Sequence, residues 1–288
     1  MYTIESDVLK VVINPKGAEL SSIYNKQEQL EYLWSGDPAF WGKKSPILFP
    51  IVGTLKGDAY FYKGQSYSLS RHGFARDMIF TVTRQEPDSV TCTLKSSEET
   101  LQKFPFAFRF DIIYSIKGSQ LTVAWHIVNT GDGDMYFSVG AHPAFRVPLA
   151  GGSYEDYTLL FNKVETAPRW PISKDGLIET APMPLLDHTD RLPLRKELFQ
   201  KDALVLQNLQ SDAITLQSNA TPHGWSVSFP GFPYMGIWAA KNADFVCIEP
   251  WCGIAHSVDS DQQLEHKKGI QCIGPSERFV RSWTLHTW

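Results

Sequence analysis

Three short segments, far apart in the chain, each carry one residue that can transfer a proton near neutral pH. They are Arg71–Arg76, Gly140–Phe145 and Cys247–Gly253, with His72, His142 and Glu249 as their proton-transfer residues. Glycine and aromatic residues, and in two segments proline, surround each of these residues. Two histidines and a glutamate suffice for general acid–base chemistry that needs neither a redox cofactor nor a covalent nucleophile.

His142 follows the apolar run Met135–Gly140 and precedes Pro143. This pattern predicts a strand that ends just before the histidine, and the proline restricts the backbone of the residue before it. A restricted backbone directs a side chain reproducibly. His72, between Arg71 and Gly73, is a second candidate. Each histidine, taken alone, also fits a structural role with satisfied hydrogen bonds.

Glu249 follows the apolar run Phe245–Ile248 and precedes Pro250 and Trp251. A carboxylate on an apolar strand must be paired, solvated in a cleft, or protonated through a raised pKa. A cleft carboxylate beside tryptophan is typical of enzymes that act on sugars. The alternative is a buried ion pair with an arginine. The chain also has 9 Trp, 11 Tyr and 17 Phe, which can stack on sugar rings or fill a β-sheet core.

Other chemistries find little support in the motifs. His72, His142 and Glu249 lack the short His-x-Asp/Glu and His-x-x-x-His spacings of non-haem iron sites, so we predict no metal. The sequence also lacks a Gly-x-Ser-x-Gly elbow, a phosphate-binding glycine loop and a dinucleotide fingerprint, and we predict no cofactor. The remaining histidines are interpreted as structural: His126, His188, His223, His256, His266 and His286.

Composition limits the possible partners. The net charge of −4 and the isoelectric point near 6.1 give no basic field for nucleic acid. No apolar window is long enough to span a membrane, and the N-terminal residues lack a charged-then-apolar leader. We therefore expect a cytoplasmic protein with no nucleic-acid or membrane partner, whose 4 cysteines are reduced.

Alternating apolar residues between turn residues predict strands along most of the chain. Phe110–Ile116 and Leu121–Asn129 flank a turn at Lys117–Ser119, and Phe80–Arg84 and Val90–Leu94 form a second hairpin. Ser97–Lys103 is the one short helix predicted. The absence of a βαβ rhythm favours an all-β fold, a large antiparallel sandwich, with residues 1–288 as one domain.

Pro168–Pro193 contains several prolines and few alternating runs. We interpret it as long surface connections and not as a domain linker.

The chain resembles the aldose 1-epimerases, or mutarotases, and within them the bacterial LacX-type subgroup. The resemblance runs nearly end to end, and its motifs occur in the family's order: Gly17–Leu20, Ser45–Gly53, Arg71–Phe74, Gly140–Phe145 and Ile248–Gly253. It implies the galactose mutarotase-like β-supersandwich. It also implies that the protein interconverts the α and β anomers of a hexose such as galactose or glucose.

Carried over by position, the resemblance implies a role for each motif residue. His142 would be the general acid on the ring oxygen, and Glu249 the general base on the anomeric hydroxyl. His72 would bind the sugar near the reacting carbon, and Asp202 would hold sugar hydroxyls. Arg71 and Trp251 complete the predicted substrate-binding set. The expected partner is a small-molecule sugar, and the protein would be a monomer or a homodimer.

One position departs from the family pattern. Galactose mutarotases carry an active-site arginine before the first histidine, and Lys56 is a candidate replacement for it. Arg71 and Arg76 could compensate. They could also bind a sugar phosphate, as in hexose-6-phosphate mutarotases.

Two other classes of function remain open from the sequence. A non-catalytic carbohydrate-binding protein would keep the aromatic groove without a matched acid and base. A glycoside hydrolase would need two carboxylates flanking the bond, and only Glu249 has a convincing setting, with Asp202 second.

Overall fold

The computed structural model describes all 288 residues, most of them in or between antiparallel strands. The first eleven strands are β1 (Tyr2–Glu5), β2 (Leu9–Asn14), β3 (Glu19–Asn25), β4 (Leu30–Glu31), β5 (Ala59–Tyr62), β6 (Gln65–Ser68), β7 (Thr81–Glu86), β8 (Ser89–Lys95), β9 (Phe108–Lys117), β10 (Gln120–Asn129) and β11 (Met135–Phe137). The other eleven are β12 (Val139–Gly140), β13 (Ala144–Arg146), β14 (Tyr157–Arg169), β15 (Met183–Pro193), β16 (Leu204–Gln207), β17 (Ala213–Ser218), β18 (Thr221–Ser228), β19 (Tyr234–Trp238), β20 (Phe245–Cys252), β21 (Gln271–Ile273) and β22 (Arg278–Thr287).

The largest sheet has nine strands in the order β15-β14-β17-β18-β22-β10-β9-β8-β7. Its central strands alternate as the sequence predicts. In β9 every second residue from Phe108 to Ile116 is buried, while the residues between them are more exposed. Apolar residues at a period of two therefore place one face of this sheet on the core.

A five-stranded sheet lies against the nine-stranded one and includes β20 as a central strand. All eight residues of β20 are buried, so both faces of this strand are covered. Contact between the two sheets includes the Phe145 and Trp225 rings, whose centroids are 4.3 Å apart. A buried apolar cluster of 71 residues draws on both sheets. The predicted all-β antiparallel sandwich is confirmed.

Local predictions also match the structure. The two predicted hairpins are β7–β8 and β9–β10. The short helix, α1, spans Glu98–Lys103, and the Ser97 side chain accepts a hydrogen bond from the Thr100 amide at 3.3 Å. A serine cap of this kind satisfies one of the free amides of the first turn. No helix in the structure has the length and hydropathy needed to cross a membrane.

The interpretation of Pro168–Pro193 as surface connections is wrong in two places. β14 continues to Arg169, and Met183–Pro193 forms β15 at the edge of the nine-stranded sheet. Pairing between these strands is irregular, with three register shifts. Proline is tolerated at sheet edges and bulges, where a ladder hydrogen bond is not required. The bulges also break the period-two pattern, so no alternating run is visible in the sequence.

Candidate active site

A cavity of about 480 Å³ opens beside β20 and is lined by 21 residues. This volume is in the usual range for small-molecule sites. The structure brings all six predicted site residues to this cavity: Arg71, His72, His142, Asp202, Glu249 and Trp251. They come from segments separated by as many as 180 positions in the chain, since the first is residue 71 and the last is residue 251.

Strand pairing to β20 determines where His142 lies relative to Glu249. His142 is in the short segment between β12 and β13, and both of these strands pair with β20. The Ala141 amide donates to the Pro250 carbonyl at 3.1 Å, and the Ile248 amide donates to the Pro143 carbonyl at 3.3 Å. These bonds hold the segment directly beside Glu249. The Nε2 atom of His142 lies 3.4 Å from Oε2 of Glu249.

Burial controls the protonation of this pair. Glu249 is 2% exposed and His142 is 8% exposed. Loss of solvation lowers the pKa of His142 to about 3 and raises the pKa of Glu249 well above its ordinary value, because burial disfavours both charged forms. Burial therefore favours the arrangement in which the His142 ring is neutral and the Glu249 carboxyl is protonated. The alternative of a buried ion pair between Glu249 and an arginine is wrong, since the close partner is His142.

Two tryptophans surround the His142 ring. The Trp41 ring stacks on it with a centroid distance of 5.0 Å and an interplanar angle of 26°. Trp238 meets it edge-on, with centroids 5.5 Å apart. The Trp34 indole N–H donates to the Trp41 carbonyl at 2.9 Å and so fixes the loop that carries Trp41. These contacts desolvate the imidazole and hold its orientation.

His72 reaches the cavity from a strained backbone. Its φ is 70°, in the left-handed region that non-glycine residues seldom occupy. Its Nδ1 accepts a hydrogen bond from the Gly53 amide at 3.1 Å, so the proton of the neutral ring lies on Nε2. Burial lowers the pKa of His72 and keeps the ring neutral. The His72 and His142 ring centroids are 5.8 Å apart.

Arg71 connects His72 to Asp202. Its Nη2 lies 3.5 Å from Oδ1 of Asp202, and its Nε lies 3.3 Å from Nε2 of His72. The Arg71 Nε–H points at this nitrogen, so the contact is a hydrogen bond only in the tautomer that carries its proton on Nδ1, and it competes with the Gly53 bond for the neutral ring. Asp202 also has a positive φ, 81°, and its Oδ1 accepts from the Ala203 amide at 2.7 Å.

Two glycines make room for Trp251 on β20. Gly140 pairs opposite Trp251 on β12, and Gly236 lies on the neighbouring β19. A Cβ added to Gly140 would lie 2.5 Å from the indole, and one added to Gly236 would lie 2.4 Å from it. The indole therefore lies across its neighbouring strands, and Trp251 is only 5% exposed. It forms part of the cavity floor.

Some cavity residues were missed from the sequence. Trp41, Trp238 and Lys241 line the cavity, and Trp41 lies in a loop with Pro38 and Gly42 nearby in sequence. An aromatic residue in such a loop was the feature of the sequence that could have indicated a place in the cavity wall. Ile172 and Ile178, from the part of the chain interpreted as surface connections, also contribute to the wall.

Lys56 does not replace the family arginine. Its Nζ donates to the Ser260 carbonyl at 3.3 Å, and it does not line the cavity. The cations that do line it are Arg71, Arg76 and Lys241. The sequence-based suggestion that Arg71 and Arg76 compensate agrees with their position.

One group of side chains near the cavity has metal-ligand chemistry. Ligand atoms of His142, Cys247 and Glu249 all lie within 4.8 Å of one another. Cys247 is fully buried, and burial raises the pKa of its thiol. The same low-dielectric surroundings raise the pKa of Glu249. Two buried protons would have to leave before a cation could bind here.

The fold and the cavity define a class of β-sandwich protein with a buried histidine–glutamate pair in a cavity of small-molecule size. The chain belongs to the aldose 1-epimerase family, whose model matches residues 1–272. Two relatives, the chromosomal and plasmid forms of protein LacX from Lactococcus lactis subsp. lactis, are each 33% identical over 293 residues, covering 98% of this chain and 97% of LacX. The resemblance proposed from the motifs is confirmed.

Solved structures agree with the fold. A galactose mutarotase related enzyme from Lactobacillus acidophilus has a TM-score of 0.94 and 35% sequence identity, and the match covers 100% of this chain and 97% of that one. A galactose mutarotase-like protein from Lactobacillus casei has a TM-score of 0.94 and 31% identity, with both chains covered completely. The chain therefore adopts the galactose mutarotase-like architecture.

Proposed function

We propose that the protein is an aldose 1-epimerase that interconverts the α and β anomers of a hexose such as galactose or glucose. The observation that carries this proposal is the 3.4 Å separation of His142 Nε2 and Glu249 Oε2 at the cavity. An acid and a base this close can reach two oxygens on the same carbon of one sugar ring. Membership of the aldose 1-epimerase family supports the same activity.

The reaction needs two proton transfers around the anomeric carbon. In the proposed mechanism, His142 donates a proton to the ring oxygen while Glu249 accepts the proton of the anomeric hydroxyl. The bond between the ring oxygen and the anomeric carbon breaks, and an aldehyde forms. Rotation beside the aldehyde exposes its other face, and ring closure with the transfers reversed gives the other anomer. Both residues return to their starting protonation states.

A single proton shared by His142 and Glu249 suits these two proton transfers. In the resting protein the neutral forms of His142 and Glu249 are favoured by burial. Transfer of the proton from Glu249 to His142 creates the imidazolium and carboxylate that the mechanism requires without exchanging a proton with solvent. A sugar hydroxyl that donates to the Glu249 carboxylate favours this charged arrangement, since hydrogen bonds to a charged form stabilise it.

Four other residues are proposed to bind the sugar. His72 presents its Nε2 proton, and Arg71 presents its guanidinium beside it. Asp202 offers a carboxylate oxygen to hydroxyl donors, and its exposed fraction of 29% leaves it accessible. Trp251 supplies an apolar surface at the cavity floor.

The test is anomer exchange measured by NMR saturation transfer on galactose and glucose, with the His142→Ala/Glu249→Gln double variant as the matched control. Faster exchange with the wild-type protein than with the double variant supports an epimerase. Sugar binding by calorimetry with no faster exchange would support a non-catalytic carbohydrate-binding protein instead. Release of free sugar from a disaccharide would indicate a hydrolase.

A further inference from the structure

Two segments form one side of the cavity, beyond the end of the β16–β19 strand pair. β16 begins at Leu204 and β19 ends at Trp238, and the two strands are antiparallel neighbours. The Asp202 loop, residues 196–203, precedes β16, and the β19–β20 turn, residues 239–244, follows β19. Both segments line the cavity, through Phe199, Asp202, Ala203, Ala239, Ala240 and Lys241. Neither lies in a strand, so their relative position depends on other contacts.

Lys196 joins these two segments. It lies at the start of the Asp202 loop, in the short 3-10 helix Lys196–Phe199. Its Nζ donates to the Asn242 carbonyl at 3.0 Å, to the Ala243 carbonyl at 2.7 Å and to Oδ1 of Asp244 at 2.5 Å. An ammonium group has three hydrogens to donate, so the β19–β20 turn provides an acceptor for each of them.

An aromatic ring also holds the ammonium group of Lys196. Its Nζ lies 4.3 Å from the centroid of the Tyr154 ring. Tyr154 is buried, and its hydroxyl donates to the carbonyl of Phe245, the first residue of β20, at 3.1 Å. A cation over the face of an aromatic ring is attracted to it, and more strongly away from water. The ring therefore fixes Lys196 relative to β20, the strand that carries Glu249.

No other hydrogen bond joins the Asp202 loop to the β19–β20 turn. Within the turn, the Ala243 amide donates to the Ala240 carbonyl at 3.0 Å, and the Asp244 carbonyl accepts from the Val147 amide at 3.0 Å. An exposed ion pair contributes little by itself. Lys196 differs because it has three acceptors and an aromatic face, and its side chain is only 23% exposed.

We propose that Lys196 is a positioning residue that fixes the Asp202 loop relative to the β19–β20 turn and so determines how well the cavity fits the sugar. Its part in sugar binding rests on the proposed epimerase function. Lys196 does not line the cavity, and it acts through the residues of the two segments that do, Asp202 above all. A displacement of about 1 Å in a group that positions a substrate is enough to impair an enzyme.

The kinetic test is Lys196→Met, which keeps an unbranched side chain and removes the donors. We expect KM for galactose or glucose to rise roughly three- to tenfold, with a smaller change in kcat, because pairing with β20 holds His142 beside Glu249. Lys117→Met, at the exposed end of β9, is the matched control and should change neither parameter. A lower melting temperature with an unchanged KM would make Lys196 merely structural and overturn the proposal.

Two further substitutions test whether the contacts of Lys196 are responsible. Lys196→Arg keeps the positive charge and several donors, and should bring KM back toward the wild-type value. Asp244→Ala removes one of the three acceptors, so its effect on KM should be smaller than that of Lys196→Met. The double variant should be no worse than Lys196→Met alone, because both changes break the same contact. Additive losses would contradict the proposal.

Hydrogen exchange on the sugar-free protein tests the positioning role without the reaction. Mass spectrometry should show faster amide exchange in both the Asp202 loop and the β19–β20 turn of Lys196→Met than in the wild type or Lys117→Met. Faster exchange in one segment alone, or in neither, would overturn the inference whatever the activity. Faster exchange in both, with no anomer exchange by the wild type, would retain the positioning role and remove the epimerase function.

Discussion

The Nε2 atom of His142 lies 3.4 Å from a carboxylate oxygen of Glu249, and both side chains are almost fully buried. Neither sequence motif alone indicates this distance, because His142 and Glu249 are 107 positions apart in the chain. It arises from the pairing of β12 and β13 with β20.

Removal of either member of the pair should nearly abolish anomer exchange. His142→Ala removes the proposed acid, and Glu249→Gln removes the proposed base while keeping the shape of the side chain. We expect each to lower kcat by at least about a hundredfold, the usual contribution of a positioned acid or base. Saturation-transfer NMR on purified variants measures the rate, and circular dichroism checks the fold. Near-normal rates in both variants would contradict the assignment.

The rate should be insensitive to pH through the range where an ordinary histidine titrates. Burial lowers the pKa of His142 to about 3, so the pair does not gain a second proton between about pH 5 and 7, where an exposed imidazole would. At higher pH the rate falls when the pair loses its single proton, through the raised pKa of Glu249. The pH dependence of kcat/KM tests this. An acid limb near pH 6.5 would contradict it.

Because of Glu249, the free energy of unfolding of the protein should fall as the pH rises. Its pKa is raised in the folded state, so the stability it contributes is present below the unfolded pKa of about 4.3 and is lost as pH rises through the folded value. Each pKa unit of separation corresponds to about 1.4 kcal/mol.

Glu249→Gln has no such titration. We expect its melting temperature to exceed that of the wild type by an amount that grows between about pH 5 and 8. Differential scanning calorimetry at several pH values measures the difference. A constant or shrinking difference would show that Glu249 is not desolvated in the folded protein.

His72→Asn should affect substrate affinity more than turnover. Asparagine tolerates the positive φ of 70° at this position but cannot place a donor where Nε2 lies. Loss of one hydrogen bond should raise KM about three- to tenfold, with a smaller change in kcat. Steady-state rates over a range of sugar concentrations separate the two parameters. Equal losses in kcat and kcat/KM would instead place His72 in the proton-transfer step.

Gly236→Ala should displace the Trp251 indole that forms part of the cavity floor. Its Cβ would lie 2.4 Å from the Trp251 indole, and overpacking of this kind costs about 1–3 kcal/mol. We expect a melting temperature several degrees lower and weaker sugar binding. Gly133→Ala is the control, because its Cβ would meet no atom within 4 Å. If the two variants have the same melting temperature, the Trp251 indole is not tightly packed.

The β-rich fold could be predicted from sequence because period-two runs such as β9 and β10 record the burial of one sheet face. A polar residue in an apolar setting, such as the Glu249 carboxylate on an apolar strand, also allowed candidate site residues to be predicted. Trp238 and Lys241 could not be found in this way, since an aromatic residue or a lysine near a turn is common on any surface. β15 was missed because its bulged, proline-containing edge does not alternate.

The two glycines on either side of Trp251 limit how the shape of the cavity can change. Any larger residue at position 140 or 236 would collide with the indole, so the part of the cavity floor that this ring forms has almost no freedom to vary. Diversification has to come from the loops that carry Arg76, Asp202 and Lys241.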